Sequence, residues 1–176
     1  GEQFIHSNYL QYYNHLLTDE RLIAAAQKYG YQIVFFPHPN LQPFESLFSH
    51  DESVSIVPPY SSYREVYQKG SLLVTDYSSV VFDFVYMDKP VLYTQFDKEE
   101  FFNGGHVCTA GYFDYERDGF GEVEYDLPST VDRIIEYMAN DCQMKPQYRR
   151  RVDDFFAYHD RNNCQRVYEK VKEITK

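Results

Sequence analysis

No stretch of about 18 or more apolar residues occurs anywhere in the 176-residue chain, so it holds nothing from which a membrane-spanning helix can be built. The N-terminus lacks a basic region followed by an apolar run, and a signal peptide is not expected. A surplus of positive charge is missing too. Lys and Arg number 17 against 27 Asp and Glu, a formal net charge of -10, which excludes the broad cationic surface that nucleic-acid binding requires. A small anion stays admissible, because a few backbone N–H groups make a local positive site whatever the total charge. The three cysteines, Cys108, Cys142 and Cys164, form no C-x-x-C pair. Neither a zinc site nor a disulfide framework is indicated, and a reducing compartment is the simplest reading. The six histidines show no His-x-x-x-His spacing, so no metal is expected. The chain opens Gly1-Glu2-Gln3 without Met, and a segment of a longer protein is the expectation.

What is present describes a folded protein. The chain is 43% hydrophobic and 18% aromatic, with 18 Tyr and 14 Phe, a composition that can bury a core. Its length suits one domain over 1–176. Leu16, Leu17, Leu22, Ile23 and Ala26 recur at helical spacing between Tyr9 and Tyr29, with Thr18-Asp19-Glu20 able to cap a second piece and Gly30 as the stop. Short apolar runs predict strands at Gln32–Phe36, Val54–Val57, Leu72–Thr75 and Val91–Thr94. Helices are predicted between them at Leu41–Ser49, from Ser61 or Ser62 to Lys69, and over Ser78–Met87. Beyond Phe96 the pattern weakens. Asn103-Gly104-Gly105 and Arg117 to Gly121 read as loops, and helices return over Pro128–Asn140 and Gln147–Lys172. Strands alternating with helices predict an α/β fold, a Rossmann-like parallel sheet with helices on both faces, followed by C-terminal helices over about 128–176.

Ligands of such sheets bind beyond the carboxyl ends of the strands, which selects His38-Pro39-Asn40, Pro59-Tyr60-Ser61-Ser62 and Thr75-Asp76-Tyr77-Ser78-Ser79. At the third, Ser78 and Ser79 can join hydroxyl donors to free backbone N–H groups around a phosphate, or can simply cap the next helix. The run contains no glycine and no lysine, so it is neither a Walker loop nor a G-x-G-x-x-G turn. Asp83 falls one helical turn beyond Ser79, where a carboxylate can accept from ligand hydroxyls or merely complement the helix dipole. His38, bracketed by Pro37 and Pro39, can donate to a phosphate oxygen or protonate a leaving group, or can be a structural residue bonded to a loop carbonyl. The charged loop Asp114 to Asp118 reads as a solvated turn or a substrate contact. Arg149-Arg150-Arg151 reads as a solvated helix face or an anionic-lipid contact.

The run from Leu72 through Thr75-Asp76-Tyr77-Ser78-Ser79 to Asp83-Phe84, followed by Lys89-Pro90-Val91 and Gln95-Phe96-Asp97, resembles the C-terminal domain of CDP-glycerol:poly(glycerophosphate) glycerophosphotransferases. Pro37-His38-Pro39-Asn40 resembles the same family's His-Pro element, and the likeness spans roughly Tyr31 to Gly121. The resemblance implies the C-terminal half of a GT-B-type fold, with a further N-terminal domain in the same protein. It implies a donor, CDP-glycerol or a related CDP-alditol, a membrane-attached polymer as acceptor, release of CMP, and a cytoplasmic location, either free or peripheral at the inner face of the cell membrane. By that resemblance His38 has a catalytic part, Ser78, Ser79 and Asp83 contact the donor, and Ser61 and Thr75 shape its pocket. No cofactor is implied. Two alternatives stand beside it: a GT-B glycosyltransferase domain using a sugar nucleotide, and a non-catalytic α/β binding module.

Overall fold

The computed structural model describes residues 2–58, 61–103 and 111–175. Three short helices open the chain: α1 (Glu2–Ile5), α2 (Asn8–Leu17) and α3 (Glu20–Tyr29). The caps explain these bounds. Ser7 accepts the Leu10 N–H, Asp19 accepts the N–H groups of Arg21 and Leu22, and Gly30 ends α3 in the left-handed region at φ 74°. Two minimal strands follow, β1 (Val34–Phe35) and β2 (Ser55–Ile56), joined by a 3-10 segment over Pro39–Leu47. Next come α4 (Tyr63–Lys69), β3 (Leu73–Thr75), α5 (Val81–Tyr86) and β4 (Val91–Thr94). The remainder is α6 (Lys98–Asn103), α7 (Tyr115–Asp118), β5 (Gly121–Glu124), α8 (Leu127–Ala139), α9 (Pro146–Phe155) and α10 (Asn163–Ile174).

Every strand pairing is parallel: β1 with β2, and β3-β4-β5 with β4 in the centre. Alternation along β4 builds two layers. Leu92 packs with Tyr12 and Leu16 of α2, with Leu22 and Ala26 of α3, and with Val131, Ile134 and Met138 of α8. Val91 and Tyr93 point the other way, onto Val81, Phe84 and Val85 of α5, Tyr67 of α4, Phe120 and Val152 of α9. Helices therefore cover both faces of this sheet, the arrangement of a Rossmann-like α/β fold. Burying side chains such as Leu92 and Val91, both fully shielded, contributes roughly 2 kcal/mol each. The β1–β2 pair has its own cluster of Phe35, Phe48 and Val54, tied to the main sheet through α2, whose Leu10 and Leu17 belong to it.

Three segments depart from the sequence reading. Arg117 to Gly121, expected as loop, holds the end of α7 and the first residue of β5. The helix expected from Ser78 begins only at Val81. The helix expected over Gln147–Lys172 is two helices, because the Tyr86 hydroxyl donates to the carbonyls of Tyr158 (3.1 Å) and Asp160 (2.8 Å) and holds the chain in a turn between them.

Candidate functional site at the strand ends

Thr75, the last residue of β3, is buried, and the chain bends immediately beyond it. Asp76 Oδ1 accepts the Tyr77 N–H at 2.6 Å, and backbone bonds from Val81 to Ser78 (3.4 Å) and Phe82 to Ser79 (3.2 Å) lead into α5. The N-cap of α5 is Val80, which has no side chain able to cap. Ser78 Oγ makes one long contact, 3.5 Å from the Val80 N–H, while Ser79 is exposed and its hydroxyl has no bond among the described residues. Neither serine is consumed in starting the helix, so the hydroxyl pair keeps its bonding capacity at the strand end. Because α5 has only six residues, an anion here would be held by hydroxyls and turn N–H groups more than by a macrodipole.

His38 is exposed and caps the 3-10 segment, its Nδ1 accepting the Asn40 N–H at 3.2 Å. That bond places the ring proton of the neutral form on Nε2, the nitrogen able to donate outward. Two residues earlier, the Phe36 ring lies 4.6 Å from the Tyr63 ring, which links the end of β1 to the start of α4. Ser61 is half-buried, with its N–H on the Pro58 carbonyl at 3.0 Å; Pro59 and Tyr60 lie outside the described residues. Asp83 is exposed on α5 and lines two open hollows. One, of about 350 Å³, includes Tyr63, Arg64 and Tyr67; the other, of about 430 Å³, includes Phe82, Tyr86 and Phe155. Neither hollow is lined by His38, Ser61, Ser78 or Ser79.

Other groups at this edge went unselected. Tyr77 stacks on Phe101 at 3.8 Å, and its hydroxyl donates to Asp97 at 3.1 Å. Burial, followed by the Asp97 charge, pushes the Tyr77 phenol far above its ordinary range. Burial likewise raises the Asp97 carboxyl, against the opposing effect of the Tyr77 hydroxyl. Gln95, next after β4, is buried with both side-chain polar atoms unbonded among the described residues. The rule that selected Ser78, applied to the end of β4, points directly to Gln95 and Asp97. Lys89 has a structural occupation: its ammonium donates to the carbonyls of Tyr67, Gln68 and Gly70 at 2.7 to 2.9 Å and closes the C-terminus of α4.

The remaining charged candidates are largely spoken for. Arg117 pairs with Asp118 at 2.6 Å and donates to the Tyr112 carbonyl, so its charge is engaged within its own loop. Arg149 pairs with Asp88, and Arg151 donates to the Gly119 carbonyl at 2.6 Å, leaving Arg150 as the exposed member of the trio. Among the described residues no group of three or more His, Cys, Asp or Glu is placed to hold a metal, and no helix is long and apolar enough to cross a membrane. Cys142 and Cys164 are free thiols; Cys108, with Gly104 and Gly105, lies outside the described residues.

A parallel sheet with helices packed on both faces defines the class of Rossmann-like α/β domains. Residues 3–173 match the family described as CDP-Glycerol:Poly(glycerophosphate) glycerophosphotransferase, and the chain belongs to that family. It is 42% identical over 172 residues to the minor teichoic acid biosynthesis protein GgaB of Bacillus subtilis (strain 168), covering 98% of this chain and 18% of that protein. It is 29% identical over 132 residues to the teichoic acid poly(glycerol phosphate) polymerase of the same strain, covering 75% of this chain and 16% of that protein. It is 30% identical over 94 residues to the teichoic acid glycerol-phosphate transferase of Staphylococcus aureus (strain NCTC 8325 / PS 47), covering 52% of this chain and 23% of that protein. The chain thus spans less than a quarter of the length of each of these relatives.

Proposed function

We propose that this chain is the donor-nucleotide-binding domain of a glycerophosphotransferase, the C-terminal half of a two-domain GT-B-type enzyme. The whole protein would move glycerol phosphate from CDP-glycerol to a hydroxyl of a membrane-attached polymer at the inner face of the cell membrane. In that reaction the acceptor oxygen attacks the phosphorus carrying glycerol. The bond to the bridging oxygen breaks, and CMP leaves with the charge that this domain has to stabilise. Ser78, Ser79 and the N–H groups of their turn would hold the diphosphate. His38 would donate from Nε2 to a phosphate oxygen or to the departing bridge oxygen. Thr75 and Ser61 would border the pocket, and Asp83 would accept from hydroxyls of the donor. The base for the acceptor hydroxyl would come from the other domain.

The observation that carries this reading is the serine pair beyond β3, whose hydroxyls are not spent on capping α5. Family membership supports the choice of donor. The test is thermal unfolding with CMP, CDP-glycerol, CDP-ribitol and UDP-sugars at millimolar concentration. CMP and CDP-glycerol should each raise Tm, with the effect lost in Ser79→Ala/Asp83→Ala, and no shift with either ligand would refute the assignment. A shift with UDP-sugars alone would transfer the domain to glycosyl transfer.

A further inference from the structure

Gln95 follows β4, the strand bonded on both edges, so it stands at the same carboxyl edge as Ser78 and Ser79. Its backbone is fully engaged: the N–H donates to the Glu124 carbonyl at 2.8 Å, and its own carbonyl accepts the Lys98 N–H at 3.2 Å. The residue is only 1% exposed, yet neither Nε2 nor Oε1 has a bonding partner among the described residues. The neighbouring residue shows how different this is. Thr94, equally buried, places its hydroxyl 2.5 Å from that of Tyr12, which also donates to Thr130 at 2.8 Å.

Closing a carboxamide away from water without partners is unfavourable, and a leucine or methionine would occupy similar space at no such cost. Alternation sets its direction. Thr94 bonds with Tyr12 and Phe96 stacks on it at 3.7 Å, so Gln95 faces the opposite side with Tyr93, the side covered by α5. Asp97 lies two residues further on, and Asp76 directly follows the adjacent strand β3.

We propose that Gln95 determines donor specificity, its carboxamide pairing with an uncharged group that offers both a donor and an acceptor. Within a nucleotide that group is the pyrimidine edge or a ribose hydroxyl, and not the phosphates. This inference rests on the donor reading above and adds the residue that reads the nucleoside. Because the amide is closed from solvent, the nucleotide has to part the strand end to reach it.

Calorimetric titration of the 176-residue chain and of Gln95→Met with CMP, ribose 5-phosphate and pyrophosphate tests it. The variant should bind CMP about tenfold more weakly, the worth of two modest hydrogen bonds, with pyrophosphate unchanged and Tm equal to or above wild type. A parallel loss for ribose 5-phosphate assigns the contact to the ribose, and a loss confined to CMP assigns it to the base. Unchanged CMP affinity, an equal loss for pyrophosphate, or a lower Tm each overturns the proposal, the last by showing that the amide has a structural partner. The wild-type arm keeps the two ideas apart. A wild-type chain that binds none of the three probes removes the donor reading, whereas wild-type binding that Gln95→Met leaves intact removes only the role of Gln95.

Discussion

Asp97 illustrates what a single residue contributes at the strand ends. Its carboxyl is half-buried, and the desolvation that raises its pKa outweighs the hydrogen bond from Tyr77. A carboxyl with a raised folded pKa holds its proton more tightly in the folded chain. The contribution of this group to stability is therefore fully present below the ordinary carboxylate range and is lost as pH climbs through the raised value. Asp97→Asn keeps an oxygen for Tyr77 and removes the charge. Its Tm relative to wild type should be near zero at about pH 3.5 and should grow toward neutrality; a difference that stays flat or shrinks with pH contradicts the account. Residues of this kind were partly legible in the sequence. Ser78, Ser79 and His38 stand out because they follow apolar runs. Gln95 follows such a run as well, but that its carboxamide is buried without a partner among the described residues is revealed only by packing.

Among the elements, β5 best shows how tertiary contacts override local pattern. Gly121-Glu122-Val123-Glu124 offers one large apolar residue and two acids, a poor strand by composition. The acids are accepted because Lys145 and the Tyr137 hydroxyl meet Glu122 at 2.6 Å and Arg133 meets Glu124 at 2.9 Å. Gly121 itself is needed for close approach, since a Cβ there would stand 1.8 Å from the Val91 carbonyl oxygen. Gly121→Ala should accordingly lose on the order of 3 kcal/mol in urea unfolding by disrupting the β4–β5 ladder. Gly111, where a Cβ meets nothing within 4 Å, provides the neutral control. Equal stability of the two variants would show that β5 is not fixed where the pairing places it. The break between α9 and α10 has the same kind of origin. No proline or glycine marks it, and the Tyr86 hydroxyl creates it from 72 and 74 residues away in sequence.

At the scale of the whole molecule, the layers are joined through shared elements. β4 contributes Leu92 to one core and Val91 and Tyr93 to the other, and α2 contributes to both the main core and the β1–β2 cluster. Neither core can be lost while the other stays intact. Far-UV circular dichroism and tyrosine near-UV signals should thus melt in one coincident transition, and separated midpoints would show that the β1–β2 part unfolds independently. The sequence alone determined the alternation of helices and strands, the parallel α/β class and the strand-end serines, because apolar periodicity, caps and punctuating Gly and Pro act over a few residues. Tertiary structure alone decided where α5 starts, that an acidic tetrapeptide becomes an edge strand, that Asp83 faces the hollows beside α5, and that Gln95 is buried unpaired. Each of those depends on groups brought together from distant parts of the chain, and their energies exist only once the layers have closed.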